Sequence, residues 1–222
     1  MKKTILNLCL VGGIALATVA CKNENNNAET TDAQEVASAN EAAVEFVVDT
    51  TNSTIEWKGE KPAGSHNGVI SISEGTFTAN DSLIESGSFV INMNSIEVQD
   101  LEGDDKANLE NHLKGTVEGK ESDFFNVKEF PKATFEITGV NEVEGNTMLR
   151  GNLTMKGETK NVEFPVNIDI DGDELELTSE SFTIDRTQWG IKFMSKSVMD
   201  NLGDKFISDD ITLTVKVKAK KA

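Results

Sequence analysis

The chain has 222 residues, with 38 acidic side chains against 21 basic ones, a formal net charge of −17 at pH 7, and two cysteines. A body this acidic argues against binding nucleic acid and against docking on anionic lipid head groups. Two cysteines supply no disulfide framework, so the fold must rest on its apolar core.

Lys2 and Lys3 precede an apolar run from Ile5 to Ala20. This reads as a secretory leader over 1–20, too short to span a membrane. Thr18-Val19-Ala20-Cys21 is similar to the lipobox of bacterial lipoproteins, with Thr18 in the place of the usual aliphatic residue. The resemblance implies that Cys21 carries lipid as the first mature residue, anchoring an exported protein to the bacterial cell envelope, periplasmic or outer-membrane side. An ordinary cleaved signal with a leftover thiol is the alternative. Cys9 lies inside the leader, which leaves Cys21 without a partner. Residues 21–45 are polar, rich in Asn, Ala and Thr, and lack an apolar period. They read as a flexible tether, in which AQEVASANEAAVEF forms at most a marginal helix.

From Phe46 to the end, residue 222, the period is two, and this stretch reads as one domain. Ile55 and Trp57 alternate with polar neighbours, Ile70 and Ile72 follow, and Glu74-Gly75 suggests a bulge before Phe77. Phe89, Ile91 and Met93 continue the pattern. So do Leu149, Leu153 and Met155, then Val162 to Ile170, Leu175 and Leu177, Phe182 and Ile184, and Ile211 to Val217. Turns are expected at Ala79-Asn80-Asp81-Ser82, Glu144-Gly145-Asn146 and Asp171-Gly172-Asp173. One stretch breaks the rhythm. Residues 104–115, DDKANLENHLKG, predict a short helix capped by Asp104 or Asp105 and stopped by Gly115.

About eight half-buried strands make a sandwich or a closed barrel. Inward-parity glycines at 68, 87, 151 and 157 favour a closed antiparallel barrel, by allowing curvature and leaving interior volume unfilled. The stretch SDFFNVKEFPKATFEI, 122–137, gathers Phe124, Phe125, Val127, Phe130 and Phe135 around Pro131, and it should plug a core or line a cavity mouth.

That stretch resembles the most recognisable motif of the YceI-like family of exported bacterial proteins. DTTNSTIEWKGE, NHLKG, GNLTMKGETKNVEFPV (151–166), FTIDRTQWGI (182–191) and ISDDITLTVKVKA follow in the family's order, and the resemblance covers roughly 47–219. GTVEGKE, 115–121, stands out as an insertion. The resemblance implies a lipocalin-like barrel with a long apolar tunnel. It also implies an isoprenoid ligand, such as a polyprenyl phosphate or a quinone, with a homodimer left open.

For catalysis the inventory is poor: no nucleophile triad, phosphate loop or metal-ligand cluster is visible. No enzyme, cofactor or metal is expected. DIDGDELE, 169–176, has its glycine fourth rather than sixth, so it reads as a hairpin and not a calcium loop. His66 reads as an exposed loop residue. His112 reads as structural, with a ligand head group as the other option. Arg186, one of two arginines, reads as a tie between structural elements, with an anion clamp as the other option. The expected ligand-binding set is Trp57, Phe89, Ile91, His112, Leu113, Phe124, Phe125, Phe135, Leu153, Phe164, Phe182, Arg186 and Trp189. Two functions follow: a carrier for a long apolar amphiphile, or an envelope interaction module with a filled barrel.

Overall fold

The structure, a computed structural model, describes residues 27–80 and 83–222. The leader over 1–20, Cys21 and the start of the tether lie outside the described residues. The period-two segments become strands β1 (Glu29–Asp32), β2 (Val44–Val48), β3 (Thr54–Lys61), β4 (Gly64–Asn80), β5 (Leu83–Asn92) and β6 (Glu97–Val98). After helix α1 (Gly103–Lys114) come β7 (Lys132–Val143), β8 (Asn146–Met155), β9 (Glu158–Asp171), β10 (Glu174–Ser179), β11 (Phe182–Asp185) and β12 (Asp210–Lys221).

A ring of 8 strands closes in the order β3, β4, β5, β7, β8, β9, β10, β12 and back to β3, each neighbour antiparallel. The expected closed antiparallel barrel is therefore the fold. Two neighbours complete staves that run out early. β2 lies between β12 and β4 beyond the start of β3, and β11 pairs with β12 beyond the end of β10. The bulge predicted near Glu74-Gly75 shows as a register shift between Ile72 and Glu74. DIDGDELE forms the β9–β10 hairpin, with Gly172 at φ 60.

Strand direction sorts the barrel into two ends. The β4–β5, β7–β8 and β9–β10 hairpins lie at one end. The β3–β4 and β8–β9 turns, α1, the 115–131 connection and the 186–209 connection lie at the other. The hairpin end is solid: Phe46, Val48, Phe77, Ala79, Ile84, Ile137, Leu175 and Ala219 are buried against one another's strands. The other end is hollow.

The helix forms much as predicted, with one correction. Asp104 and Asp105 sit in its first turn, where carboxylates face the positive helix end, and Glu102 holds the cap position without a side-chain bond. Gly115 ends it in the left-handed conformation, at φ 71, its N–H reaching the Asn111 and His112 carbonyls. The 115–121 insertion doubles back, so that Phe125 N–H meets the Leu113 carbonyl at 3.1 Å and Val127 N–H meets the Lys114 carbonyl at 2.8 Å.

The glycines correct the expectation of vacant volume. A Cβ on Gly151 would lie 2.2 Å from the Phe135 ring, and one on Gly68 would lie 1.8 Å from the Glu97 carbonyl oxygen. Gly87 faces the Thr76 carbonyl and Ile137 at 2.8 and 3.0 Å, and Gly157 serves a turn at φ 81. Positions 68, 87 and 151 are empty of side chain because a neighbour already fills them. Gly151→Ala is therefore expected to cost about 1–3 kcal/mol by overpacking. Urea unfolding of Gly151→Ala, and of Gly151→Ala combined with Phe135→Leu, checks this: the second change should recover part of the loss.

The tether expectation also needs correction from residue 27 onward. No helix forms between 33 and 46. Instead β1 pairs with β9 from Glu29↔Glu163 to Asp32↔Lys160, and Asn27 bridges to Thr183 of β11. The chain then crosses the outer wall. Gln34 N–H donates to Asn152 Oδ1 at 3.0 Å, and Asn152 Nδ2 donates back to the Gln34 carbonyl at 2.7 Å. Ala37 N–H reaches the Ile137 carbonyl, and Asn40 N–H reaches the Glu85 carboxylate at 2.7 Å. Asn152 and Asn161 face outward yet are buried, because this strap covers them; their amides bond each other at 3.0 Å. Polar bonding of this kind leaves no hydrophobic period in the sequence.

Candidate functional site

The hollow end encloses a cavity of about 330 Å³ with almost wholly apolar walls, within the size of small-ligand sites. Inward side chains of the ring supply the walls: Ile55 and Trp57 of β3, Ile70 and Ile72 of β4, Phe89 and Ile91 of β5, Phe135 of β7, Leu149 and Leu153 of β8, Phe164 of β9 and Leu177 of β10. Beyond Phe89, Phe135 and Phe164 the same strands carry the buried residues of the solid end. The expected tunnel is thus a blind cup.

Aromatic rings run in sequence through this interior. Phe77 meets Phe89 edge-on at 4.9 Å, Phe89 and Phe135 lie 6.1 Å apart, Phe135 and Phe164 lie 5.9 Å apart, and Phe164 stacks on Phe182 at 4.1 Å. Gly151 makes this possible, since the Phe135 ring lies across the place its side chain would take. A ring floor offers wide, rigid apolar area at small cost in side-chain freedom.

At the mouth, α1 contributes Leu109, His112 and Leu113, and the following loop contributes Phe124 and Phe125. Phe124 contacts Phe193 at 5.5 Å, with the His112 ring edge-on to both at 5.1 and 5.3 Å. His112 Nε2 lies 2.8 Å from Asp123 Oδ2, which fixes the ring and joins helix to loop. Lys156 at the β8–β9 turn donates from Nζ to the Phe124 carbonyl and to the Ser122 carbonyl. Burial pushes its amine below the usual lysine range, against the opposing pull of Glu129 and Asp123. The phenylalanine-rich loop is therefore tied down on both flanks.

Arg186 lines the cavity beside β12 but is committed elsewhere. It is 2% exposed. Its Nε, Nη1 and Nη2 donate to the carbonyls of Ser208, Ile191 and Ile207 at 2.9, 2.7 and 3.0 Å. Asp209 Oδ1, which is buried without a hydrogen bond, lies 3.6 Å from Nη2. This is the structural tie favoured from sequence. Burial pushes the Asp209 carboxyl up, but hydrogen bonds from Ser195 and Ser197 and the Arg186 charge hold it below the usual carboxylate range.

Of the expected set, Trp57, Phe89, Ile91, His112, Leu113, Phe124, Phe125, Phe135, Leu153, Phe164, Phe182 and Arg186 all line the cavity. Trp189 does not. It is fully buried, and its Nε1 donates to the Leu153 carbonyl at 3.0 Å, so it is a wall piece. His66 is not a loop residue either. It sits in β4, lines the cavity, and holds Asp100 Oδ2 at 2.8 Å through Nδ1. Trp57 lines the cup with its Nε1 buried and unpartnered. Ile55, Ile72, Val162, Leu177, Leu213 and Val215 were missed as site residues, although their alternating parity marked them. Ile207 and Ser208 were missed because the 190–209 connection has no period, and Asp210, which opens β12, because a polar residue at a strand start carries no inward signal. Among the described residues, no group of three or more His, Cys, Asp or Glu side chains could hold a metal ion.

A family model described as the YceI-like domain matches residues 46–219. A UPF0312 protein of Yersinia pestis (strain Pestoides F) is 36% identical over 91 residues, 40% of this chain and 41% of its own length. A UPF0312 protein of Yersinia pseudotuberculosis serotype O:1b (strain IP 31758) matches to the same extent. The aligned part of the chain thus spans about two fifths of the length of these curated relatives, 41% in each. Burkholderia cenocepacia BcnA superposes with a TM-score of 0.61 at 19% identity, over 78% of this chain and 99% of its own. A polyisoprenoid binding domain from Saccharophagus degradans superposes with a TM-score of 0.56 at 9% identity, over 81% of this chain and 99% of its own. At these identities the two structures show a shared fold.

Proposed function

Because the chain belongs to the YceI-like family, matched over residues 46–219, we propose that its barrel binds one long apolar amphiphile of isoprenoid or quinone type and carries or sequesters it at the cell envelope. The blind apolar cup carries this reading. It offers aromatic and aliphatic walls with a few polar groups at the mouth. Each methylene taken from water into such a cup contributes about 0.8 kcal/mol, so affinity arises without any reaction. The Saccharophagus domain of the same fold is described as polyisoprenoid binding, which supports the ligand class. We further propose that Cys21 is lipidated and that the barrel works beside the membrane which supplies its ligand. The other reading from sequence, an envelope interaction module, goes with a barrel filled by its own side chains, and the hollow end favours the carrier.

Native mass spectrometry after gentle purification tests the proposal. A fraction of the protein heavier than the chain by one isoprenoid or quinone mass is expected, lost on organic extraction and restored by adding a long-chain quinone. A chain that stays at its bare mass before and after that addition overturns the carrier reading.

A further inference from the structure

We infer that the cup selects an uncharged head: its ligand ends in an alcohol or quinone ring, and the same chain ending in a phosphate is disfavoured. This rests on the carrier reading and sharpens it.

A cavity that clamps phosphate needs free cations or unspent N–H donors at its mouth. Among the described residues, the buried side-chain N–H without a partner on its wall is Trp57 Nε1, a single neutral donor, and the lining cations are nearly all spent. Arg186 gives its guanidinium to three backbone carbonyls and Asp209. His66 is bound to Asp100 and His112 to Asp123, each at 2.8 Å. The nearby Lys156 amine is held by backbone carbonyls. Lys61, at the exposed tip of the β3–β4 hairpin, is the one lining cation without a partner among the described residues. In water its charge is well screened.

The anions tell the same story from the other side. Glu60, paired with Lys58, and Asp210 line the cavity, with Asp185 opposite Asp210 across the β11–β12 ladder and Asp209 next to it in the chain. Burial and those two neighbouring carboxylates push the Asp210 carboxyl above its usual range. A phosphate arriving there would meet the same field. A neutral head meets no such cost. Each histidine has given one ring nitrogen to a carboxylate, and the other nitrogen accepts from a hydroxyl when the ring is neutral or donates to a carbonyl when it is protonated. Alcohols and quinones supply those two groups.

The test compares geranylgeraniol with geranylgeranyl monophosphate, two ligands with one chain, by calorimetric titration of the delipidated protein at low salt. The alcohol is expected to bind about tenfold tighter or more, with the gap narrowing as salt rises. The Glu60→Gln/Asp210→Asn double variant should narrow it further at low salt. Phosphate binding as tight as the alcohol, or a gap that the double variant leaves unchanged, overturns this inference and leaves the carrier reading standing. Absence of binding by either ligand overturns both.

Discussion

Arg186→Met is expected to cost about 3–5 kcal/mol of folding stability, the range for breaking a buried ion pair from one side. Three carbonyls, at Ser208, Ile191 and Ile207, lose their donors at once, and each buried group left unpaired costs about 1–3 kcal/mol. Asp209 loses its cation as well. The pH dependence follows from the direction of its shift. The folded-state Asp209 carboxyl lies below its unfolded value, so its contribution is present above the ordinary carboxylate range and fades as pH falls through the lowered one. The penalty of Arg186→Met should therefore shrink on acidification, where a protonated Asp209 no longer calls for a partner. Urea unfolding at neutral and acid pH checks both parts. A variant as stable as the parent, or a penalty that grows in acid, would show that the tie does not hold the 186–209 connection.

Ala133→Trp should abolish ligand uptake while leaving the barrel folded. Ala133 is the smallest side chain lining the cup apart from Gly59, and it sits on β7 opposite Ile91 near the mouth. An indole there occupies space that four or five methylenes of a ligand would take. At about 0.8 kcal/mol each, their loss lowers affinity by roughly a hundredfold or more. The new ring has the cavity to enter, so the stability loss should stay at or below the roughly 1–3 kcal/mol typical of an enlarged core side chain, small enough to leave the barrel folded. Titration with a long-chain quinone, paired with urea unfolding, separates the two effects. Undiminished affinity in a folded variant would place the ligand outside the cup.

The barrel was legible because half-buried strands write an alternating pattern. Phe135, Phe164 and Leu153 announced their inward side by parity alone, and all three line the cup. The glycine at 151 shows where such reading stops. Its parity was right, but an inward glycine looks the same whether it leaves a void or yields to a ring leaning over from the next strand. Only the cross-strand geometry of Phe135 decides between them. Trp189 failed for a related reason: an aromatic after an irregular turn faces wherever its N–H finds an acceptor, here the Leu153 carbonyl. The strap was illegible because its partners recognise main chain. Asn152 reads the peptide group of Gln34 and would read that of another residue equally well.

That strap sets a distance. With Asn27 stitched to Thr183 on the barrel wall, an acyl chain on Cys21 would be separated from folded protein by six peptide links, at most about 20 Å when fully drawn out. A loose tether of two dozen residues would let the barrel roam and tumble above its membrane. Were Cys21 lipidated as proposed, a link this short would instead hold the β9–β11 flank toward the bilayer, and an emerging hydrocarbon tail would have only a few water layers to cross.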